Sequence, residues 1–309
     1  MSRIRYYIRA MRLRTLPLSL AGVALGIFLA AADYHVRWEV VLFTVLTTLS
    51  LQMLSNVSNE LGDALRGTDR EDRQGPSYSL SSGLLSKRDF KFMIWMYALL
   101  SAGFGLALIW FSFGTLLSLE AILLMILGAT AISGAMRYTL GSNPYGYRGL
   151  GDIYVFIFFG IVAVLGSYFV AAHEIRTWYL LLPATSMGLF SVAVLNVNNI
   201  RDMETDAATR RTIPVRIGEK WAKVYQTVLI AGGWICMFLY AHSRMFSIWH
   251  YLFVLTLPLF AVHVAGVWKG HGKTLDPMLS LLVMSTFLFA VLGGAGFVVY
   301  LCTSGIFQL

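Results

Sequence analysis

Two clusters of oxygen-bearing and cationic side chains interrupt a chain otherwise built of apolar runs. The first spans 59–73 and holds Asn59, Glu60, Asp63, Arg66, Asp69, Arg70, Glu71, Asp72 and Arg73. The second spans 198–211 and holds Asn198, Asn199, Arg201, Asp202, Glu204, Asp206, Arg210 and Arg211. Together they contain half of the 16 Asp and Glu residues. Carboxylates beside hydrocarbon are costly and persist there mainly when they serve a function. Two separated carboxylate sets with arginines nearby are suited to a divalent cation that bridges protein oxygens to an anionic, phosphorylated ligand. Mg²⁺ keeps several waters and takes a couple of carboxylates plus phosphate oxygens. Asn59, Asp63 and Asp69 supply one oxygen set, and Asn198, Asp202 and Asp206 the other. Arg66, Arg70, Arg73, Arg201, Arg210 and Arg211 are candidates to hold diphosphate oxygens by charge-assisted hydrogen bonds. The plainer reading is solvated loop charges that pair with one another. Against it stands a repeat: Asn59-x3-Asp63 recurs as Asn198-x3-Asp202, each at the end of an apolar run. Residues four apart share a helix face, so each pair is expected to point one way, with Asp206 extending the second face. Two such half-sites would close on one ligand.

The elements that must position these clusters are membrane helices. The chain is 57% hydrophobic and 13% charged, where a soluble domain carries roughly a quarter charged residues. A span needs about 20 mainly apolar residues, and nine segments qualify: roughly 16–33, 39–61, 90–111, 114–136, 152–172, 178–200, 221–241, 248–268 and 276–302. The expected fold is all-α, one domain over 1–309, with about nine transmembrane helices around a central cavity open to the cytoplasmic side and to lipid. The net charge of +8 does not indicate nucleic-acid binding, because the basic residues lie between apolar runs and form no stripe on a soluble domain. They read as topology determinants. With the N-terminus in the cytoplasm, only Arg37, Arg176 and Arg244 of the 24 Lys and Arg residues fall outside. That places both clusters on the cytoplasmic face and the C-terminus outside. The start, Arg3 to Arg14, is a basic amphipathic segment suited to an anionic membrane surface and lacks a signal-peptide cleavage pattern. Cys236 and Cys302 lie in apolar stretches, and the six histidines show no ligand spacing, so neither a disulfide framework nor a metal–thiolate site is implied.

Between the fourth and fifth spans, Tyr138 to Asp152 is rich in Gly and Tyr. It is either a tight loop with interfacial tyrosines or a source of aromatic faces for a cationic group.

Four stretches resemble the UbiA-type intramembrane aromatic prenyltransferases. They are Arg12-Leu13-Arg14-Thr15-Leu16-Pro17; the first cluster through Asp72-Arg73-Gln74-Gly75-Pro76; Tyr147-Arg148-Gly149-Leu150-Gly151-Asp152 with Phe158-Phe159-Gly160 and Val164-Leu165-Gly166; and Asn198-Asn199-Ile200-Arg201-Asp202-x3-Asp206 with Arg211-Thr212-Ile213-Pro214-Val215-Arg216-Ile217-Gly218. They span most of the chain in the family's order. The middle stretch is similar to the branch that prenylates 1,4-dihydroxy-2-naphthoate in menaquinone synthesis. Departures are Glu60 where the family usually has Asp, Asp152 where it often has Glu, a loop one residue short after Asp206, and Arg210 or Arg211 in place of a Lys.

The resemblance implies a Mg²⁺-dependent transfer of a polyprenyl group from polyprenyl diphosphate to the naphthoate, with loss of carbon dioxide and diphosphate, giving demethylmenaquinone. It implies catalytic roles for Asp63 and Asp202 at the metal, with Asp72 an alternative ligand to Asp69. It also implies diphosphate contacts from Arg66, Arg73, Arg201, Arg210 and Arg211. Tyr138 or Tyr147 would stabilise an allylic cation, and Arg148 and Asp152 would bind the aromatic substrate. The alternatives are a branch acting on 4-hydroxybenzoate or homogentisate, and a transporter of an anionic metabolite. Transporter sites favour the bilayer midplane, whereas these charges gather at one face. A purely structural subunit leaves the two carboxylate sets unexplained.

Overall fold

The computed structural model describes residues 3–66, 80, 83–207 and 209–304. Among them every regular element is helical, and nine helices are long and apolar enough to cross a membrane. A short helix, α1 (Arg3–Ala10), precedes them. In order follow α2 (Leu16–Ala31), α3 (Trp38–Leu65), α4 (Lys87–Phe113) and α5 (Leu119–Arg137). Then come α6 (Gly151–Ala172), α7 (Leu181–Arg201), α8 (Glu219–Ser243), α9 (Ile248–Lys269) and α10 (Asp276–Ser304). Each of the nine apolar segments expected from the sequence becomes one of these spans.

Polar punctuation sets the ends. Ser86 opens α4 with a capping box, its Oγ accepting from the Asp89 N–H at 3.3 Å while Asp89 Oδ2 accepts from the Ser86 N–H at 2.8 Å. Gly114, at φ 68°, closes α4 in the left-handed conformation. The 28 residues of α3 make a rod of about 42 Å, longer than the roughly 30 Å of hydrocarbon. Its last turns, which carry Asn59 and Asp63, therefore reach a membrane face.

The bundle packs as two bodies, which a small third cluster of Val40, Leu108 and Val170 joins. One core draws on α2, α6, α7, α8, α9 and α10, including Leu25, Tyr168, Phe190 and Phe289. The other draws on α1, α3 and α4, including Ala10, Leu54, Phe90 and Met93. In the first body the middle of α6, Phe156–Gly166, is wound as a π-helix and packs closely on α7. A Cβ on Gly160 would lie 2.5 Å from Gly188 Cα and 2.6 Å from Ala184 O, so only glycine permits this crossing.

A cavity of about 570 Å³ runs between the two bodies. Its wall on α3 extends from Thr44 to Asp63, about 28 Å of helix. Along the membrane-embedded part, Thr44, Thr47 and Thr48 turn their hydroxyls onto the carbonyls of Val40, Phe43 and Thr44 at 2.6, 2.7 and 2.8 Å. This satisfies the hydroxyls within the helix, so that stretch of wall behaves as apolar. α5 forms a thin outer wall, with Ala121 its one buried residue.

Candidate functional site

The polar end of the cavity is where the two acidic clusters meet. Asn59 and Asp63 line it from α3, Asn198 and Asn199 from α7, and Arg210 from the segment after α7. Asp63 is only 3% exposed. Its Oδ1 accepts a hydrogen bond from Tyr147 Oη at 2.6 Å and pairs with Arg210 Nη2. Arg210 Nε also lies 3.8 Å from Asp206 Oδ1. Backbone bonds explain the return of the chain: the Asp206 N–H donates to Asp202 O and the Arg210 N–H to Asp206 O, both at 2.8 Å. One guanidinium thus joins a carboxylate of the first cluster to one of the second, across 147 residues of sequence. Burial works against its charge, but Asp63 and Asp206 outweigh burial and raise the Arg210 pKa above the ordinary arginine value.

Tyrosines frame this junction. The Tyr147 ring lies 4.6 Å from the Arg210 guanidinium carbon and 5.1 Å from that of Arg66. Tyr138 lines the cavity, packed edge-on to Tyr145 at 5.3 Å, and Tyr145 stacks on Tyr154 at 3.8 Å. Burial pushes the Tyr138 phenol up to about 12, against the opposing pull of Arg210. It therefore presents a neutral ring.

The second cluster departs from the symmetry expected of it. Asn59 and Asp63 share a face of α3, but α7 ends at Arg201, and Asp202 caps it with non-helical angles, φ −95° and ψ 8°. Asp202 is 0% exposed and is gripped by Arg201, Nε to Oδ1 at 2.9 Å and Nη2 to Oδ2 at 2.7 Å. The same guanidinium bonds Asp276 Oδ1 at 2.7 Å and Asn198 Oδ1 at 2.9 Å. Neither Arg201 nor Asp202 lines the cavity. Asp206, 1% exposed, reaches the junction through Arg210.

The remaining candidates spread outward. Arg66 is exposed and its Nη2 bonds Gly141 O at 2.6 Å. Arg211 is exposed and donates its backbone N–H to Tyr147 O at 3.2 Å. Arg148 is exposed, and Asp152 accepts from Tyr225 Oη at 3.0 Å; neither lines the cavity. Asp69, Asp72, Arg70 and Arg73 lie outside the described residues. Sequence reasoning passed over Gln52 and Asn56, which line the same face of α3 as Asn59 and Asp63. Their spacing (52, 56, 59, 63) was the available signal. It also passed over Arg12, which lines the cavity from a left-handed backbone position, φ 50° and ψ 55°.

Among the described residues no three His, Cys, Asp or Glu side chains converge into a protein-only cage. Mg²⁺ in phosphate sites does not require one, since it takes one or two carboxylates beside substrate oxygens and water. Arg210 already places positive charge between Asp63 and Asp206, and its buried Nε has no hydrogen-bond partner among the described residues. That combination of buried carboxylate oxygens and an orphaned donor fits a metal and a diphosphate together.

Comparison with known proteins agrees with this architecture. The model of the UbiA prenyltransferase family matches residues 19–277. The chain is 37% identical to a 1,4-dihydroxy-2-naphthoate octaprenyltransferase of Escherichia coli over 93% of each chain. It is 35% identical to one of Mycobacterium tuberculosis, covering 96% of this chain and 99% of that one. Its fold is similar to the apo structure of a UbiA homologue from Aeropyrum pernix, with TM-score 0.69 at 17% identity over 94% and 98% of the two chains. It is also similar to a homologue from Archaeoglobus fulgidus bound to DMAPP and Mg²⁺, with TM-score 0.68 at 17% identity over 95% and 99%.

Proposed function

Because the chain belongs to the UbiA prenyltransferase family, we propose that it transfers a polyprenyl group from polyprenyl diphosphate to 1,4-dihydroxy-2-naphthoate, in menaquinone biosynthesis. The identity with naphthoate octaprenyltransferases over nearly the whole chain supports the reaction. The observation that carries it structurally is Arg210 joining Asp63 to Asp206 at the polar end of one long apolar cavity.

The diphosphate end of the donor lies among Asn59, Asp63, Asn198 and Asp206, with Arg210 as its charge clamp. Those oxygens would hold Mg²⁺, which supplies Lewis acidity toward the diphosphate oxygens. The isoprenoid tail lies along the cavity wall whose threonine hydroxyls face their own backbone. As the bond from C1 to the diphosphate oxygen lengthens, that oxygen keeps the electron pair and positive charge develops on the allylic carbon. Tyr138 offers it a neutral ring face, whereas the Tyr147 ring is engaged by Arg66 and Arg210. The naphthoate carbon that bears the carboxylate bonds to C1. The carboxylate then leaves as carbon dioxide, and its bonding pair restores the aromatic ring. The product is the quinol form of demethylmenaquinone. A water-poor cavity prevents hydrolysis of the cation, which a lipid-embedded bundle provides.

The distribution of Lys and Arg supports a bacterial inner-membrane protein with N-terminus and site in the cytoplasm and C-terminus outside. The cavity then opens toward the cytoplasm and, beside α5, toward lipid. The test is mass analysis of products from the purified protein with 1,4-dihydroxy-2-naphthoate, a polyprenyl diphosphate and Mg²⁺. The expected species is the naphthalene-diol with a prenyl group in place of the carboxylate. No product from the naphthoate, with prenylation only when 4-hydroxybenzoate or homogentisate takes its place, would move the protein to another branch. Uptake of an anionic solute into proteoliposomes without any prenylated product would make it a transporter.

A further inference from the structure

Most polar side chains at the polar end of the cavity already have a partner. Asn59 Oδ1 accepts from Thr139 Oγ1 at 3.2 Å. Asn56 and Gln52 bond each other at 3.0 Å and both reach Thr15 Oγ1, at 3.0 and 3.3 Å. Asn198 is held by Arg201, and Asp63 by Tyr147 and Arg210. Asn199 differs. It is 5% exposed and lines the cavity from the last turn of α7, yet its carboxamide makes no hydrogen bond among the described residues. Its amide opens onto the cavity with no partner among the described residues, so it is suited to hydrogen-bond a ligand there.

The chemistry of the site indicates which ligand. The diphosphate is an anion, best held by Arg210, the carboxylate-bound cation and hydrogen bonds aimed at charge. A neutral carboxamide, which donates and accepts at once, instead suits a hydroxyl. The acceptor carries one on the ring carbon next to the one that attacks. Resting on the prenyl-transfer reading, we propose that Asn199 hydrogen-bonds this ring hydroxyl, selecting a hydroxylated aromatic acceptor and turning its reactive carbon toward the junction of Asp63, Asp206 and Arg210. This assigns the acceptor to the α7 wall of the cavity rather than to Arg148 and Asp152.

The test compares wild type with Asn199→Leu, which keeps the branched shape and heavy-atom count of the side chain and removes the hydrogen bond. Two naphthoates that lack the second hydroxyl serve as competitive inhibitors against 1,4-dihydroxy-2-naphthoate: 1-hydroxy-2-naphthoate and 2-naphthoate. Wild type should bind the hydroxylated one about tenfold more tightly, the worth of one neutral hydrogen bond. Asn199→Leu should bind the two alike, raise KM for the dihydroxy substrate about tenfold and leave KM for prenyl diphosphate unchanged. Asn199→Gln should restore part of the preference. The Tm of Asn199→Leu should match that of wild type, because no hydrogen bond within the protein is lost. A lowered Tm with the preference intact would make Asn199 structural and overturn the proposal. A raised KM for prenyl diphosphate in place of the naphthoate would overturn it as well. Absence of naphthoate prenylation by wild type would sink the prenyl-transfer reading and this inference together; wild-type turnover with an unaltered preference in the variant would sink this inference alone.

Discussion

Asp63→Asn should lower prenyl transfer by at least about a hundred- to a thousandfold, the loss expected when one preorganised electrostatic group is removed from a reacting centre. Asparagine keeps the volume of the side chain and its bond to Tyr147, but not the charge. That charge faces the cavity and balances Arg210. The fold should survive, because Asp206 remains beside Arg210 at 3.8 Å as a counter-charge. Turnover at saturating substrates, set beside the thermal transition of the same sample, checks both halves of this statement. Retained turnover would remove Asp63 from the reaction.

Asp202→Ala should behave differently, losing stability as well as activity. Asp202 and Arg201 are 0% and 1% exposed in their side chains and form a two-point ion pair. Removing one partner of a buried pair leaves an uncompensated charge, at a cost of about 3–5 kcal/mol. Asp276, 37% exposed at its side chain, offsets part of that. A fall in Tm of roughly 5–10 °C follows. Activity should fall with it, because Arg201 also holds Asn198 at 2.9 Å. Arg201→Met combined with Asp202→Leu should regain most of the lost stability, since apolar replacements of a buried pair are often neutral. Thermal unfolding of the single and double variants decides the matter. An unchanged Tm with abolished turnover in Asp202→Ala would make Asp202 a direct ligand instead of the anchor of Arg201.

The two aspartates also mark what the sequence could and could not convey. Nine spans were legible because a crossing helix needs a run of apolar residues that little else in a chain imitates, and each run became a helix. The likeness of Asn59-x3-Asp63 to Asn198-x3-Asp202 was legible too, but its geometry was not. Spacing reports a shared face only while the helix continues. α3 runs on to Leu65, whereas α7 stops at Arg201. The choice between Arg210 and Arg211 turns on which backbone bonds close the segment after Asp206, and spacing does not encode that. The engagement of Asp152 away from the cavity depends on Tyr225, 73 residues further on. Asn198 and Asn199 are adjacent and chemically equal in the sequence. Both line the cavity, but packing gives the first to Arg201 and leaves the second without a partner among the described residues.

In the proposed site the two acidic clusters jointly hold one diphosphate through Mg²⁺. Equilibrium binding of a non-transferring prenyl thiolodiphosphate, with and without Mg²⁺, tests it most directly in wild type, Asp63→Asn and Asp206→Asn. Mg²⁺ should tighten binding to wild type, and either substitution, one from each cluster, should remove the Mg²⁺-dependent part. Full Mg²⁺ dependence surviving in either variant would contradict it.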